Sequence, residues 1–280
     1  MSETSARGGV YKEITSLTNP IIKDIRGLTQ RKNRTESNQF IAEGLKLVAA
    51  AVEAEWPLRI LVFGKKIAEH ALVQKIAART KARGGMVLEV SEAVLSKIAR
   101  RDNPQMVIGV FDQLWADRST VKAEGRDLWV ALEGVKDPGN LGTIIRTADA
   151  AGARGLILIG ETTDPFALEA TRATMGSIFA LPMVRLSADE FVQWSKNWPG
   201  AIIGTHLEGA TDYRGVDYNQ PTILLMGNEQ SGLPPALAQC CTTLVKIPQV
   251  GRADSLNLAI ATGIMLFEIQ RDILTFSTTD

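Results

Sequence analysis

The residues best suited to chemistry lie in three loops rich in glycine and small polar side chains: 133–140, 227–233 and 248–255. Each loop follows a short apolar run of the kind that forms a buried parallel strand. In open parallel sheets, ligands bind beyond the carboxyl ends of the strands. Glycine lets the backbone approach a ligand and present its own N–H and C=O groups. The three loops therefore predict a binding site at one edge of a sheet.

Two charged residues supply this predicted site with strong polar groups. Arg146 follows Asn140 at the spacing N-x-G-x-x-x-R, within a predicted helix. Its neighbours are apolar or small, so we interpret it as a partly buried arginine that requires an anionic partner. Glu229 lies between Gly227 and Gly232 in the second loop. These groups suit an anion or a polar nucleophile as ligand; a structural Arg146–Glu229 salt bridge between the loops is the alternative.

The third loop leads into a predicted helix over 256–269, whose apolar residues recur at helical spacing. Ser255 occupies the expected N-cap position, where a hydroxyl accepts a hydrogen bond from a free backbone N–H of the first turn. Asn257 is expected on the same side of this helix start. An ordinary cap explains the pair equally well, so their functional reading depends on the other two loops.

The sequence lacks the common phosphate-binding motifs. No G-x-x-x-x-G-K-[ST] is present, and 137–142 does not match G-x-G-x-x-G. The two histidines, His70 and His206, exclude a histidine-rich metal site and give poor support to a Ser/His/Asp triad. His206 ends a predicted strand, so both a ligand-lining role and an idle role stay open for it.

Strands and helices alternate along the chain, which predicts an α/β fold with a mainly parallel sheet. We expect a flexible N-terminal segment over 1–19, a first α/β domain over 20–112, a linker over 113–126 and a second α/β domain over 127–280. The expected strands are 39–42, 58–63, 86–90, 105–111, 128–132, 155–159, 178–181, 201–205, 222–226 and 243–247.

Composition and charge narrow the class of protein. The chain is 45% hydrophobic and 22% charged, with two adjacent cysteines that cannot form a disulfide framework. No apolar run is long enough to span a bilayer and the N-terminus lacks a signal peptide, so we expect a cytoplasmic protein. The net charge is zero, yet residues 1–112 carry an excess of six basic residues and 113–280 an excess of six acidic ones. This asymmetry indicates that the first half meets a polyanion.

The motifs taken together resemble those of the SpoU (TrmH-type) RNA ribose methyltransferases of the SPOUT superfamily. The resemblance implies a SPOUT domain with a C-terminal trefoil knot, a homodimer, S-adenosylmethionine as methyl donor and an RNA ribose 2′-OH as acceptor. It also implies an N-terminal L30e-like substrate-binding domain. The similar segments are 133–148, 172–177, 225–233 and 247–257 for the catalytic domain, and 40–44 with Lys46 for the substrate-binding domain.

The resemblance also implies roles for individual residues. Catalytic or site-shaping positions are Arg146, Asn140, Glu229, Ser255 and Asn257, and cofactor-binding positions are Thr205, Met226, Gly227, Ile247 and Leu256. A guanidinium stays protonated at neutral pH, so little of the free base exists to accept a proton. We therefore expect Arg146 to hold a phosphate and stabilise the developing oxyanion. RNA binding is expected from the basic half, through Lys23, Arg26, Arg31, Lys32, Arg34, Arg100 and Arg101.

Several alternatives stay open at this point. We favour ribosomal RNA as substrate, because a substrate domain precedes the catalytic one and long basic tails are absent; transfer RNA is the alternative. A non-catalytic RNA-binding protein with an inactive SPOUT domain is a second possibility. The third is a nucleotide-binding enzyme of ordinary doubly wound fold, which would use the helix N-terminus at Gly139 and Asn140 for phosphate. We expect neither a metal nor a membrane partner.

Overall fold

The chain divides into two units, as seen in a computed structural model that describes residues 9–99, 104–206 and 211–274. Unit 1 comprises Met1–Gln113 and Phe166–Phe179, and unit 2 comprises Leu114–Pro165 and Ala180–Asp280. The sequence-based boundaries placed Phe166–Phe179 in the second domain, whereas its contacts place it in unit 1.

Strands and helices alternate in both units. In the described residues the strands are β1 (Val10–Ile14), β2 (Gln39–Glu43), β3 (Leu58–Gly64), β4 (Met86–Val90), β5 (Val107–Asp112), β6 (Leu128–Glu133), β7 (Gly155–Ile159), β8 (Met183–Leu186), β9 (Ala201–Thr205), β10 (Thr211–Asp212), β11 (Thr222–Met226) and β12 (Thr243–Lys246). The helices are α1 (Pro20–Gly27), α2 (Arg31–Ser37), α3 (Leu45–Glu53), α4 (Ala71–Ala82), α5 (Glu92–Ala99), α6 (Pro138–Ala150), α7 (Leu168–Ala173), α8 (Ala188–Ser195), α9 (Pro235–Ala238) and α10 (Leu258–Ile269).

Unit 1 is a five-stranded sheet in the order β1-β4-β3-β5-β2. The first three strands run parallel, and β5 is antiparallel to both of its neighbours. Helices α1 and α5 pack on a core of aliphatic side chains from one face, among them Ile22, Ile25 and Leu95. Apolar residues on β2, β3, β4 and β5 give this sheet its buried surface.

An aromatic cluster anchors the later segment in unit 1. Phe166 lies 4.7 Å from Phe40 between ring centroids, and Phe179 packs edge-on against Trp56 at 5.1 Å. The Trp56 indole N–H donates to the backbone carbonyl of Phe179 at 3.1 Å. Beside them, Arg172 forms an ion pair with Glu43, whose side chain is 1% exposed. The apolar ends of the segment therefore belong to the core of unit 1.

Unit 2 is a seven-stranded sheet in the order β10-β12-β9-β11-β6-β7-β8, in which every paired neighbour is parallel. Strands β6, β7 and β11 are buried almost throughout, as continuous apolar runs in a covered parallel sheet should be. Helices α6 and α10 pack against each other beside this sheet. Because β11 lies between β6 and β9, and β12 lies next to β9, the loops that leave β6, β11 and β12 meet at one edge.

The α/β fold with a mainly parallel sheet is confirmed, and the trefoil knot remains a prediction. Three expected elements are wrong. The strand expected at 178–181 is β8 at Met183–Leu186, β1 lies in the segment expected to be flexible, and α10 begins two residues later than expected. Part of the expected linker belongs to the core of unit 2, since Val121 packs there. None of the described helices is long and apolar enough to cross a membrane.

Candidate active site

A chain of three side chains joins the three loops of unit 2. The Asn140 amide nitrogen donates to Glu229 Oε1 at 3.3 Å, and the Asn257 amide nitrogen donates to Asn140 Oδ1 at 2.9 Å. Asn140 belongs to the first turn of α6, Glu229 to the second loop and Asn257 to the start of α10. The predicted convergence of the three loops is therefore present, and a carboxylate and two amides hold it together.

Backbone groups complete this network around Glu229. Its carboxylate accepts the backbone N–H groups of Lys136 at 3.2 Å and Asp137 at 3.3 Å. Burial alone would raise the pKa of Glu229, but hydrogen bonds from its own backbone, Asn140, Lys136 and Asp137 hold it below its ordinary value. The carboxylate is thus kept ionised as an acceptor for the first loop.

Three residues that the sequence analysis did not single out support the same loops. The Asp137 carboxylate caps α6 by accepting the Asn140 backbone N–H at 2.6 Å. The Asn228 amide nitrogen donates to the Gly134 carbonyl at 2.6 Å. Glu133 has a raised pKa, chiefly because burial disfavours its charge, and its Oε2 atom is buried without a hydrogen-bond partner in the described chain. Their positions in or next to the glycine-rich loops are the sequence feature that could have identified them.

A cavity of about 360 Å³ opens beside this network. All five residues expected to bind the cofactor line it: Thr205, Met226, Gly227, Ile247 and Leu256. Val245, Leu258 and Ala261 add further apolar wall, and Glu229 and Ser255 also lie on its lining. Its volume falls within the range of small-ligand sites, which combine apolar walls with a few polar groups.

The backbone of this cavity fits a nucleoside-containing ligand such as S-adenosylmethionine. In the described part of the chain, residues 248–256 pair none of their backbone N–H or C=O groups with other protein groups, so these groups remain available to bind the edge of a base or a ribose. Gly227 is required sterically, because a Cβ there would lie 2.2 Å from the Gly232 carbonyl carbon. The pairing of Asn228 with Gly232 then closes the second loop into a tight turn at the wall.

Arg146 lies on the exposed side of α6, which corrects the expectation of a partly buried arginine. Ile144 and Ile145 face the core instead. Arg146 makes no hydrogen bond or ion pair with the residues that the structure describes. Glu229 takes its partners from the first loop, so the alternative of an Arg146–Glu229 salt bridge is wrong. The N–H donors of its guanidinium are unused among the described residues.

The helix start after the third loop also differs from expectation. Asn257, and not Ser255, is the N-cap of α10, since its Oδ1 accepts the N–H groups of Ala259 at 2.9 Å and Ile260 at 3.2 Å. Ser255 is exposed on the cavity lining. Asn257 therefore caps the helix with its oxygen and binds Asn140 with its nitrogen.

His206 lies on the same cavity lining, next to Thr205. Its backbone N–H donates to the Val245 carbonyl at 3.0 Å, which continues the pairing of β9 with β12. Within the described ranges, no three His, Cys, Asp or Glu side chains cluster in a way that could hold a metal ion.

The predicted RNA-binding residues differ in exposure. Lys23, Arg31 and Lys32 are exposed on α1 and α2, and Arg26 is partly buried. Arg34 is 3% exposed and donates to the Leu28 carbonyl at 2.8 Å. Its selection for RNA binding is wrong, because its hydrogen bond serves the α1–α2 turn. Arg100 and Arg101 lie outside the described residues.

Family models match both units of the chain. The model of the SpoU rRNA Methylase family matches residues 127–267. The model of the MRM3-like substrate binding domain matches residues 19–109.

Individual proteins are similar over almost the whole chain. The 23S rRNA (uridine(2479)-2′-O)-methyltransferase of Streptomyces viridochromogenes is 32% identical, over 90% of this chain and 89% of its own. The 23S rRNA (guanosine(2553)-2′-O)-methyltransferase RlmP of Bacillus subtilis is 29% identical, over 92% of this chain and 99% of its own. The crystal structure of an AdoMet-bound rRNA methyltransferase from Sinorhizobium meliloti has a TM-score of 0.90 and 56% identity, covering 95% of this chain and 99% of that one.

Proposed function

This chain belongs to the SpoU rRNA methylase family, and we propose that it is an S-adenosylmethionine-dependent enzyme that methylates a ribose 2′-OH of ribosomal RNA. The observation that carries the proposal is the Glu229–Asn140–Asn257 network beside a cavity lined by all five expected cofactor residues. An inactive descendant would have no need to keep both the network and an arginine that has no polar partner among the described residues.

The residues that line the cavity suit the methyl donor chemically. Met226, Ile247 and Leu256 form apolar walls, while the unpaired backbone of 248–256 offers donors and acceptors for the nucleoside. When bound, the donor supplies an electrophilic methyl group on a sulfonium. The positive sulfonium and the negatively charged ribose oxygen neutralise each other in the reaction. A wall of low polarity favours this step, because it does not stabilise the separated charges by solvation.

Arg146 is the residue that we assign to the substrate. A ribose hydroxyl is a poor nucleophile until it releases its proton, here to solvent water, and negative charge develops on its oxygen as the proton leaves. A guanidinium remains protonated at neutral pH, so it acts here through its charge and its hydrogen bonds. We assign to Arg146 the binding of a neighbouring phosphate and the stabilisation of this oxygen, because its planar fork suits both.

Glu229, Asn140 and Asn257 are assigned to positioning. Their polar atoms are used on one another and on the first loop, which fixes the start of α6 and the start of α10 relative to the cavity wall. Ser255 is assigned to the cavity mouth, where its exposed hydroxyl lies on the lining. A rigid wall of this kind places reacting groups without a cost of reorganisation at the moment of reaction.

Ribosomal RNA is the substrate class that the relatives favour over transfer RNA, because two of them are named as 23S rRNA enzymes over nearly the full length of this chain. The domain boundaries expected from the sequence, with RNA bound by the first domain, are part of this proposal. So is a cytoplasmic location. Lys23, Arg31 and Lys32 are the exposed cations of unit 1 that we assign to the RNA backbone.

The ordinary nucleotide-binding alternative is less favoured. It requires the free N–H groups at the start of α6 to bind a phosphate. The Asp137 carboxylate already accepts the Asn140 N–H there, and Glu229 brings a second negative charge to the same turn. A phosphate at this position would meet two carboxylates.

The test of function is a map of ribose methylation. We expect one 2′-O-methyl nucleotide in 23S rRNA, seen as resistance to alkaline cleavage, to disappear when the gene is deleted and to return with the wild-type gene. If the lost site lies in transfer RNA instead, the substrate is transfer RNA and the assignment to ribosomal RNA is wrong. No lost site in any RNA, together with no binding of S-adenosylmethionine in calorimetry, would contradict the proposal.

We also propose that the protein acts as a homodimer through α10. The residues Ile260, Ile264 and Phe267 follow one another at helical spacing, and Ile260 and Phe267 remain about half exposed. The opposite side of α10, with Met265 and Leu266, is buried in unit 2. A helix that is apolar around its whole circumference is normally covered on all sides, and a two-fold axis lets one stripe cover its own copy.

Sedimentation velocity tests this interface. Phe267→Lys should convert a dimer into a monomer, because it places a charge at the centre of an apolar contact. Met175→Lys, a change at an exposed apolar residue of unit 1, is the matched control and should stay dimeric. A wild-type protein that sediments as a monomer at micromolar concentration would contradict this part of the proposal.

A further inference from the structure

A groove in unit 1 includes Lys23, which we assign to the RNA backbone, but the other residues of its lining have no role in the function proposed above. It is a cavity of about 610 Å³ beside α1, and its floor is aliphatic. Met86, Ile60 and Val110 are register partners on β4, β3 and β5, so their side chains project from one face in a single row. Val10 pairs with Met86 and extends the row to the sheet edge. Val110 is fully buried and Val10 is 45% exposed, so the row emerges gradually into solvent.

Polar groups with unused hydrogen-bonding capacity stand on the groove lining. Asn33 donates through its amide nitrogen to the Gly27 carbonyl at 2.9 Å, and its side-chain oxygen accepts nothing from the described residues. The side chain of Gln39 makes no hydrogen bond within the described ranges. A row of apolar side chains on one sheet face, flanked by amide groups with unused hydrogen-bonding capacity, matches a planar ligand that has an apolar face and a polar edge.

The charges around the groove favour a polyanion. Residues 20–39 have three exposed cations, Lys23, Arg31 and Lys32, and two exposed acids, Asp24 and Glu36. Lys23 is exposed on the lining and forms no ion pair with a described residue. Asp24 is one of two acidic residues on the same lining. Glu36, the other acid on the lining, is drawn to Lys32 at 3.8 Å. The excess of positive charge therefore lies where an RNA strand would pass.

We propose that this groove binds one unstacked nucleobase of the RNA substrate. The row of Met86, Ile60 and Val10 lies against the base face, Asn33 and Gln39 hydrogen-bond the base edge, and Lys23 contacts an adjacent phosphate. Unpaired bases of single-stranded loops are the parts of RNA that proteins bind in this manner. This inference rests on the proposed function, since it takes RNA to be the substrate.

The first experiment measures affinity for the rRNA fragment that contains the mapped methylation site. Met86→Gln should weaken binding about tenfold, because a polar group replaces the apolar support of the base. Leu17→Gln, at an exposed apolar residue of unit 1 outside the groove, is the matched control and should bind as the wild type does. Lys23→Gln should lower the slope of log affinity against log salt by about 0.7, the value for one phosphate contact on a single strand.

The second experiment locates the base by a cycle of protein and RNA changes. Single abasic nucleotides are placed along the fragment in turn. At one position, the abasic substitution should weaken binding to the wild-type protein. The same substitution should cause no further loss of binding to the Met86→Gln variant, because both changes remove the same contact. If Met86→Gln lowers the unfolding temperature, Gln39→Ala, which alters a side chain without a partner among the described residues, decides the cycle in its place.

Methylation of the same fragment separates the two proposals. If the wild type methylates the RNA and every abasic loss is additive with the groove variants, the nucleobase assignment is overturned and the enzyme function stands. A protein ligand in the groove would give this same additive result. If the wild type neither binds nor methylates the fragment, the proposed function fails and the groove assignment fails with it.

Discussion

The first turn of α6 and its middle turn contain polar residues in opposite situations. At the first turn, Asn140 donates to Glu229 and accepts from Asn257, and its backbone N–H is bound by Asp137. Less than two turns further on, Arg146 contacts no polar partner among the described residues. The two positions are six residues apart, which is about 9 Å along a helix axis.

This difference separates residues that build a site from residues that act on a substrate. A side chain whose hydrogen bonds are all used inside the protein can fix geometry but has nothing left for a ligand. An exposed guanidinium with five free donors adds little to stability and is available for phosphate and oxyanion. Substitutions at the two positions should therefore affect stability and activity in different proportions.

The largest effect is expected at Arg146. Arg146→Ala should lower kcat by a factor on the order of 10²–10³, because one charged donor to the developing oxyanion is lost. The unfolding temperature should change little, since no hydrogen bond or ion pair with a described residue is removed. Rates of methyl transfer to the mapped rRNA fragment and a thermal melt check both parts.

Arg146→Lys is the matched control for this prediction. A lysine keeps the charge but loses the planar pair of donors, so it should not restore the rate. Methylation by Arg146→Ala at nearly the wild-type rate would refute the assigned role.

Glu229→Ala should have the next largest effect, on activity and stability together. It leaves the N–H groups of Lys136 and Asp137 and the amide of Asn140 without an acceptor, so the first loop loses its fixed position. We expect a loss in kcat of about 10²-fold, the size that follows from small misplacement of reacting groups. Glu229→Gln retains one acceptor oxygen and should lose less. Equal rates for the two variants would show that the acceptor is unimportant.

A smaller effect is expected at the N-cap of α10. Asn257→Ala should destabilise the protein by about 1 kcal/mol, the usual cost of removing a side-chain cap. Ser255→Ala, two residues before Asn257, is the matched control: it also removes a small polar group. It should leave the free energy of unfolding unchanged, because Ser255 does not cap α10. Urea unfolding measures both. A larger loss for Ser255→Ala would restore the original sequence-based assignment of the cap.

The smallest effect is the dependence of stability on pH. The folded-state pKa of Glu229 is lowered, so its stabilising contribution is complete above the unfolded pKa of about 4.3 and is lost as pH falls through the folded value. The gap in unfolding free energy between the wild type and Glu229→Gln should be constant from pH 7 to about 5 and should narrow below about pH 4. A gap that widens in acid would mean that the pKa of Glu229 is raised instead.

Much of the fold could be predicted because buried parallel strands are continuous apolar runs. The ends of the strands at 155–159, 201–205 and 222–226 agree with the structure for this reason. The failures have equally specific causes. Ile178 and Phe179 looked like a strand because they are apolar, yet Phe179 packs in the aromatic cluster of unit 1. β1 has four exposed residues of five, so it shows no buried pattern.

The site was predictable as a set of loops but not as a set of contacts. Glycine and amide residues marked the three turns, and the family motifs named their members. Nothing in the sequence shows that Asn257 would cap the helix in preference to Ser255, since both side chains are good caps. The exposure of single side chains could not be predicted either. Arg34 is buried at the α1–α2 turn, and the spacing of residues in the sequence does not reveal the geometry of that turn. Arg146 is exposed although its neighbours are apolar.

Calorimetric titration of S-adenosylmethionine is the measurement that tests the central claim most directly. The wild type should bind one molecule per chain, and Gly227→Ala should lose this binding, because its Cβ would lie 2.2 Å from the Gly232 carbonyl carbon and distort the cavity wall. Gly215→Ala, where a Cβ meets nothing within 4 Å, should bind normally. Undiminished binding by Gly227→Ala, or no binding by the wild type, would contradict the claim that the three loops of unit 2 form the cofactor site.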